Sequence, residues 1–165
     1  MTEAFICRMC GQCCQGQGGI VLSGKDVHRL ALGLNLSPQD VLAAYTVYEH
    51  QKPVLTSQAD RSCIFFHPSQ GCTVHAHKPD VCRAWPFFRG NLEDESSWRM
   101  AQESCPGINP AVSHSEFVRQ GLVHLQEQGL IHPPGPDSPS ALVTGHILKR
   151  ASTTTHVSFR QTHQR

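Results

Sequence analysis

Long hydrophobic runs and blocks of like charge are both missing from this chain. No stretch approaches the roughly 18 consecutive apolar residues of a membrane-spanning helix. The formal net charge is +1, without a basic stripe or an acidic block, so neither nucleic acid nor a membrane surface is predicted as a partner. The opening residues, MTEAF, place an acidic residue where a secretory signal would be basic. We therefore predict a cytoplasmic protein.

Motifs of the common catalytic classes are missing as well. The sequence contains no GxSxG, no HExxH and no GxxxxGK[ST], and no predicted strand precedes the glycines of QGQGG. Its CxxC pairs lack the βαβ context of a thioredoxin-like enzyme. The residue pattern by itself therefore identifies no catalytic and no cofactor-binding residue, and it leaves open whether the chain is an enzyme and which protein partner it has.

Apolar residues at helical spacing predict two helices in the first third of the chain. Ser23 with Asp26 forms a capping-box-like start to a helix that reaches Leu34. Ser37 as the N-cap and Pro38 at the first helical position start a second helix. The predicted apolar side of this second helix consists of Val41, Leu42, Ala44, Tyr45 and Tyr48.

A third predicted helix closes the folded part of the chain. It covers residues 113–128, and Ser113 with Glu116 forms a capping box at its start. We predict one domain over residues 1–132. Residues 133–165 are predicted to be a proline-rich linker and a mostly disordered C-terminal tail.

The region between these helices has short β-like runs. VLTSQ and SCIFF are predicted as paired strands, HPSQG as a turn and CTV as a third short strand. KPDVCRAWPFF is predicted as a compact turn or a single helical turn. The predicted fold class is therefore α+β, with several short helices, a minor antiparallel sheet and long loops.

Cysteine is the most informative residue type in the sequence. Four of the eight cysteines fall within eight residues, CRMCGQCC, and three of them follow one another at three-residue steps. We predict that all eight are metal ligands: Cys7, Cys10, Cys13, Cys14, Cys63, Cys72, Cys82 and Cys105.

Disulfide bonding is the main alternative, since an even number of cysteines also fits four bridges. In a reducing cytoplasm, however, clustered cysteines more often bind metal. A chain of this length also does not need disulfide bonds to stabilise its fold. Some members of the group Cys63, Cys72 and Cys82 could instead be ordinary buried thiols, which behave as small hydrophobes.

The spacing favours iron over zinc. Three thiolates in one short loop suit the corners of an iron–sulfur cluster, whereas a single zinc ion more usually takes one CxxC pair from each of two separated segments. Iron or an iron–sulfur cluster is therefore the preferred cofactor, and zinc is the alternative. Bound metal is expected to supply much of the stability of the domain.

Two groups of four ligands are predicted. Adjacent side chains point to different sides of the chain, so Cys14 is expected to face a different centre from Cys13. Cys105 precedes a proline, as the last cysteine of a bacterial ferredoxin run does. The two groups are Cys7, Cys10, Cys13 and Cys105, and Cys14, Cys63, Cys72 and Cys82.

Other residues near the second group have candidate supporting roles. His67, His75 and His77 could replace a thiolate, although exposed or hydrogen-bonded histidines are the preferred interpretation. Lys78 and Arg83 could stabilise anionic thiolates. Three aromatic residues could shield the site from water or simply pack in the core: Trp85, Phe87 and Phe88.

The segments CRMCGQCC, SCIFF, GCTVHAHKPDVCRAWPF and SCPGI, with Trp98 between the last two, closely resemble the YkgJ-like cysteine-cluster family. The resemblance covers roughly residues 5–110 and includes LSGKDVHRLALGLNLSPQDVLAAY. It implies a zinc- or iron-chelating domain named for its CxxCxxCC motif. Where the family usually has a tyrosine and an arginine, this chain has His75 and Lys78.

Flagellin lysine N-methylases are similar in their cysteine cluster, which implies an enzymatic alternative. Such an enzyme would need sites for S-adenosylmethionine and for a lysine-bearing partner, and the sequence identifies neither. The preferred hypothesis is a metal-binding protein whose iron or iron–sulfur centres serve redox, sensing or metal-handling work. The alternatives are a structural zinc module for interactions and an enzyme related to the lysine methylases.

Overall fold

The computed structural model describes residues 2–15, 19–133, 135 and 139–147. The described residues form six α-helices and two antiparallel two-stranded sheets, which confirms the predicted α+β class. The helices are α1 (Gly24–Leu34), α2 (Pro38–Tyr45), α3 (Asp80–Ala84), α4 (Arg89–Glu93), α5 (Glu95–Ser104) and α6 (His114–Glu127). The strands are β1 (Thr46–Glu49), β2 (Lys52–Leu55), β3 (Phe66–His67) and β4 (Gly71–Cys72).

The chain divides into two compact units. The first, here called the cysteine unit, contains residues 6–85 together with 104–107, and all eight cysteines lie in it. The second, here called the helical unit, takes its described residues from 2–5, 86–103 and 108–147. No helix in the described part of the chain has the length and hydropathy needed to cross a bilayer.

The core of the cysteine unit lies between α1, α2 and the segments that carry Cys63 and Cys72. Both predicted helices are present, and each begins after a serine whose side chain accepts a hydrogen bond from a backbone amide of the first turn. Cys63 and Cys72 pack against this core and are half-buried. Its buried apolar residues are Leu22, Val27, Leu30, Ala31, Val41, Leu55, Phe65 and Val74.

The capping residue Asp26 also joins α1 to α3. Its buried carboxylate accepts hydrogen bonds from the backbone N and Oγ of Ser23, from Nη1 of Arg29 at 2.9 Å and from the backbone N of Asp80 at 2.8 Å. Arg29 in turn forms an ion pair with Asp80 at 2.8 Å and donates to the carbonyl of Lys78. A residue predicted as a local helix cap therefore holds a segment 54 residues later in the chain.

A β-hairpin follows α2, over residues for which the sequence pattern had predicted a continuation of the helix. Strand β1 pairs with β2 through His50 and Gln51, both of which have positive φ. Tyr48, predicted on the apolar side of the helix, lies on β1 and is 65% exposed. The helix ends because Thr46 turns to an extended conformation, with its Oγ1 donating to the carbonyl of Leu42.

The other predicted strands are shorter than expected. The pairing of VLTSQ with SCIFF is reduced to one isolated bridge, Ser57–Cys63, next to a hydrogen bond from the amide of Ile64 to the carbonyl of Thr56. HPSQG forms the predicted turn between β3 and β4. The single helical turn predicted before Pro86 is α3.

The helical unit is built around aromatic packing. The ring of Phe117 on α6 lies 4.9 Å from that of Phe87 and 5.8 Å from that of Trp98 on α5. The 113–128 helix is confirmed as α6, and Ser113 caps it. The Glu116 carboxylate, however, accepts hydrogen bonds from Arg119 and Gln120, and these lower its pKa to about 2.

Helices α4 and α5 were not predicted. The sequence did contain a signal for the start of α5, namely Asp94 as a candidate N-cap. The Asp94 carboxylate accepts hydrogen bonds from the amide and the hydroxyl of Ser97, as the side chain of an N-cap residue does. The domain boundary at residue 132 stays a prediction. In the predicted linker, Leu142 lies in a 3-10 turn, Ser140–Leu142, and is fully buried. The tail from residue 148 onward lies outside the described residues.

Replacing Asp26 by Asn should destabilise the fold by about 2–4 kcal/mol, because it removes the charge that Arg29 and the Asp80 amide share at a buried position. Asp40 is the matched control, since at the start of α2 its carboxylate accepts from the hydroxyl of Ser37 and its amide donates to that hydroxyl, but its side chain is exposed. Asp40→Asn should change stability by about 0.5 kcal/mol or less. Urea unfolding of both variants at the same metal content measures the two changes in the free energy of unfolding. Equal losses of stability would contradict the role of Asp26 in joining α1 to α3.

Candidate metal centre

Four separate chain segments bring the eight cysteines into the cysteine unit. The loop of residues 6–14, here called the cysteine loop, carries four of them, and its 3-10 turn, Gln12–Cys14, contains two. Cys63 lies shortly before β3, and Cys72 is the last residue of β4. Cys82 lies on α3, and Cys105 follows the end of α5.

Backbone contacts fix the cysteine loop along its length. The amide of Ile6 donates to the carbonyl of Gly107 at 2.9 Å, which links the start of the loop to the segment of Cys105. Farther along, the loop passes so close to Gly71 that a Cβ there would lie 2.6 Å from the carbonyl oxygen of Met9. A Cβ at Gly11 would meet the ring of Phe66 at 2.1 Å. Both glycines also have positive φ, so backbone conformation and space each require glycine.

The segment of Cys63 is joined to the end of this loop. The amide of Cys63 donates to the carbonyl of Cys14 at 2.7 Å, and Gln15 forms an isolated bridge with Ser62. The side-chain amide of Gln58 donates to the carbonyls of Cys63 and Phe66 at 2.9 and 2.7 Å. Short hydrogen bonds of this kind fix the backbone that carries the thiol.

Exposure divides the cysteines into three classes, and all eight are free thiols. Cys105 is buried, with 7% of its surface exposed. The cysteines of the cysteine loop are exposed to solvent, apart from Cys14, which is half-buried. The exposed thiols are Cys7, Cys10 and Cys13, and the half-buried ones are Cys14, Cys63, Cys72 and Cys82.

Cys13 and Cys14 interact directly, which differs from the expected separation of adjacent side chains. The Cys14 thiol hydrogen-bonds to the Cys13 sulfur within the 3-10 turn, and this lowers the pKa of Cys13 to about 6. The same donation, with burial, raises the pKa of Cys14. The tight turn brings the two sulfurs together, where an extended chain would have pointed them apart.

Electrostatic coupling gathers five of the thiols into one cluster, here called the inner thiols: Cys13, Cys14, Cys63, Cys72 and Cys82. Burial raises the pKa of Cys82 to about 12, and the charges of neighbouring thiolates contribute to the increase. Burial is also the main cause of the raised pKa values of Cys63 and Cys72, to which neighbouring thiolates again add. Such mutual effects arise only where negative charges develop close to one another.

Lys78 is the cation associated with this cluster. Its charge acts to lower the pKa values of Cys13, Cys72 and Cys82, as predicted for a positive residue flanking the second group. Arg83, the other predicted cation, forms an ion pair with Asp80 at 2.8 Å. Lys78 therefore favours the thiolate forms of these three cysteines.

The chemistry of the inner thiols fits a thiophilic cation. Zinc and iron both bind thiolate sulfur, and a bound cation would favour the thiolate forms against the burial that raises these pKa values. In the described residues, no three His, Cys, Asp or Glu side chains converge closely enough to hold one ion. Holding metal would therefore require these thiols to converge further as it binds.

The three candidate histidines all have other contacts. His67 accepts at Nδ1 from Ser69, and the ring of His77 packs against α1 at Gly33. His75 lies 3.4 Å from Nζ of Lys78, and burial, with the charge of Lys78, lowers its pKa. The two positions at which the chain departs from the family pattern therefore contact each other.

Sequence reasoning missed the residues that hold the thiol-bearing segments in place. Arg29 could have been noted from its three-residue spacing to Asp26, which is typical of helix ion pairs. Nothing local connects Arg29 to Asp80 or Gln58 to Phe66, because these contacts exist only after the chain has folded.

Replacing Gly71 by Ala should reduce the metal bound per chain, because the new Cβ would push the Met9 carbonyl and the cysteine loop away. Gly129→Ala is the matched control. Gly129 also has positive φ, at 64°, but its Cβ would meet no atom within 4 Å. Both variants should lose about 1–2 kcal/mol from the left-handed backbone, and only Gly71→Ala should lose metal. Metal analysis with thermal unfolding tests this, and equal metal contents would contradict the proposed loop contact.

The comparisons with known proteins give one positive result. The model of the CxxCxxCC family, described as “Putative zinc- or iron-chelating domain”, matches residues 6–106. Neither the curated proteins nor the solved structures yield a match. The matched range includes all eight cysteines and most of the chain. The chain therefore belongs to the CxxCxxCC family of zinc- or iron-chelating domains.

Proposed function

We propose that this protein binds iron, held as one or two iron–sulfur centres by its eight cysteines, and that the iron serves redox, sensing or metal-handling work. The observation that carries the proposal is the cluster of five inner thiols, whose pKa values depend on one another and, for three of them, on the charge of Lys78. The family match supports metal binding in general and covers both zinc and iron.

The proposed ligands fall into two groups that meet at the Cys13–Cys14 contact. The first contains three thiols of the cysteine loop and Cys105, whose segment is hydrogen-bonded to the start of that loop. The second contains Cys14 and the thiols of the hairpin and α3. The hydrogen bond between Cys13 and Cys14 supports centres that lie next to each other. The groups are Cys7, Cys10, Cys13 and Cys105, and Cys14, Cys63, Cys72 and Cys82.

Iron is favoured because three thiols follow one another at three-residue steps in a short loop, as at iron–sulfur clusters. Iron would supply one-electron chemistry, which zinc lacks. Lys78 would stabilise the anionic thiolates, and the half-buried position of most inner thiols would limit the access of water. Electron transfer to a protein partner is the role most directly served by this arrangement.

The visible spectrum, iron, zinc and acid-labile sulfide contents of protein purified without oxygen test the choice of metal. A brown protein with iron, sulfide and a reversible one-electron reduction is the expected result. A colourless protein that carries zinc would replace the proposal with a structural zinc module. More than one iron atom per chain is also expected, and a single metal atom would overturn the division into two groups.

Replacing Cys10 or Cys82 by Ser should lower the metal content and the thermal unfolding temperature together, because one ligand is lost with little change in side-chain volume. Val74→Ala is the control. Val74 is buried next to the hairpin and carries no ligand atom, so its truncation should destabilise the fold by about 1–3 kcal/mol and leave the metal ratio unchanged. Full metal occupancy in both serine variants would contradict their role as ligands.

A further inference from the structure

An open cavity lies along α6 in the helical unit, which contains none of the cysteines. Its volume is about 390 Å³, a size that suits a small organic molecule. Three parts of this unit line it: the segment 2–5, Phe87 before α4, and the stretch 119–127 of α6. All the lining residues belong to the helical unit, so the cavity is distinct from the proposed metal centre.

Hydrogen bonds fix the N-terminal wall of this cavity. On α6, the side chain of Gln120 accepts from the amide of Ala4 at 2.8 Å and donates to the carbonyl of Thr2 at 2.9 Å. Asn109 holds the same segment, since its amide donates to the carbonyl of Ala4 at 2.9 Å and its side chain donates to that of Glu3 at 3.1 Å. The wall is therefore in place before any ligand binds.

Aromatic and aliphatic side chains form the middle of the cavity. The ring of Phe87 lies 6.0 Å from that of Phe5, edge to face, and 5.4 Å from that of His124. Val123 lines the cavity beside them and is 45% exposed. Such a surface favours a ligand with methylene groups, and aromatic rings also attract ammonium groups.

The unneutralised charge at the cavity is negative. Glu3 and Glu127 both line it, and neither carboxylate forms a hydrogen bond or an ion pair with any residue in the described part of the chain. Arg119 lines it as well, but its guanidinium donates to both carboxylate oxygens of Glu116, at 2.8 and 2.6 Å. Glu127 is also the last residue of α6, where the helix dipole favours a cation.

The two carboxylates lie on either side of the apolar middle. Glu3 lies between Thr2 and Ala4, which are both bonded to Gln120, so its level along α6 is close to that of Gln120. Glu127 is two turns farther along the helix, or about 10 Å at 1.5 Å per residue. A linear molecule with an ammonium group at each end and methylene groups between them has the same order of chemical groups.

We propose that this cavity binds a linear aliphatic polyamine. Its terminal ammonium groups bind the carboxylates of Glu3 and Glu127, and its methylene chain packs along Val123 and the aromatic side. Anionic ligands such as nucleotides are excluded, because both carboxylates would repel them. The inference goes beyond the proposed function and does not depend on bound metal.

Spermidine is the probe, since it is a linear triamine with an ammonium group at each end. It is titrated into the full-length protein, as purified and at low ionic strength, by isothermal titration calorimetry. The matched control ligand is n-butylamine, which has a methylene chain but one ammonium group. Spermidine should bind at one site per chain and about 10-fold or more tightly than n-butylamine, because only spermidine can bind both carboxylates.

Glu3→Gln and Glu127→Gln should each weaken spermidine binding by roughly 5- to 20-fold, because each removes one charged acceptor at a solvent-exposed site. The double variant should bind more weakly than either. Glu103→Gln is the matched control, since Glu103 is an exposed glutamate near the end of α5 and does not line the cavity. Its spermidine affinity should stay within about twofold of the original.

Val123→Lys tests the apolar middle of the cavity. A cation placed between the two carboxylates should weaken spermidine binding by about 10-fold or more, because it repels the ligand and occupies its path. Gln126→Lys adds the same charge to an exposed position of α6 that does not line the cavity. It should change the affinity by about twofold or less.

The possible results decide the inference separately from the proposed function. Absence of spermidine binding, or equal affinities for spermidine and n-butylamine, would overturn the polyamine site. Equal losses in the Glu127→Gln and Glu103→Gln variants would show a general effect of charge and would contradict the assigned carboxylates. Spermidine affinity should be the same in samples of different metal content, and a dependence on metal would contradict the placement of the site in the helical unit.

Discussion

Burial of neighbouring thiols is the physical constraint around which the cysteine unit is organised. Five sulfurs from three chain segments lie close together, and burial is the main cause of the raised pKa values of Cys63, Cys72 and Cys82. A metal cation binds the thiolate form, so its binding would displace protons from these thiols and add its binding free energy to the stability of the folded unit. Metal binding and folding are therefore expected to be linked in this protein.

The scaffold meets this constraint with hydrogen bonds and ion pairs, without a covalent link. Asp26 and Arg29 on α1 hold the start of α3 and so place Cys82. Gln58 holds the turn that carries Cys63, and Gly71 allows the cysteine loop to approach the hairpin. Asp26 and Arg29 lie far from Cys82 in the sequence, whereas Gln58 lies five residues before Cys63 and Gly71 adjoins Cys72.

Access to the thiols is uneven, and this unevenness bears on function. Cys7 and Cys10 are exposed, whereas Cys105 is buried. Cys13, Cys14 and Cys63 also line a small cavity of about 40 Å³ at the surface of the cysteine unit. The candidate ligands therefore differ in how far solvent can reach them.

The sequence by itself determined the α+β class, α1, α2 and α6, the single turn of α3 and the identity of the eight candidate ligands. These features depend on local rules, such as the serine caps of three helices and the spacing CxxCxxCC, so they can be recognised in short segments. Tyr48 was misplaced for the same local reason, since its spacing fits a helix that Thr46 ends. Only the tertiary structure decided that Cys13 and Cys14 meet, that Asp26 binds the amide of Asp80, and that the cysteine loop packs against Gly71. These contacts join residues that are far apart in sequence or depend on the dihedral angles of a single turn, and no periodic pattern encodes either.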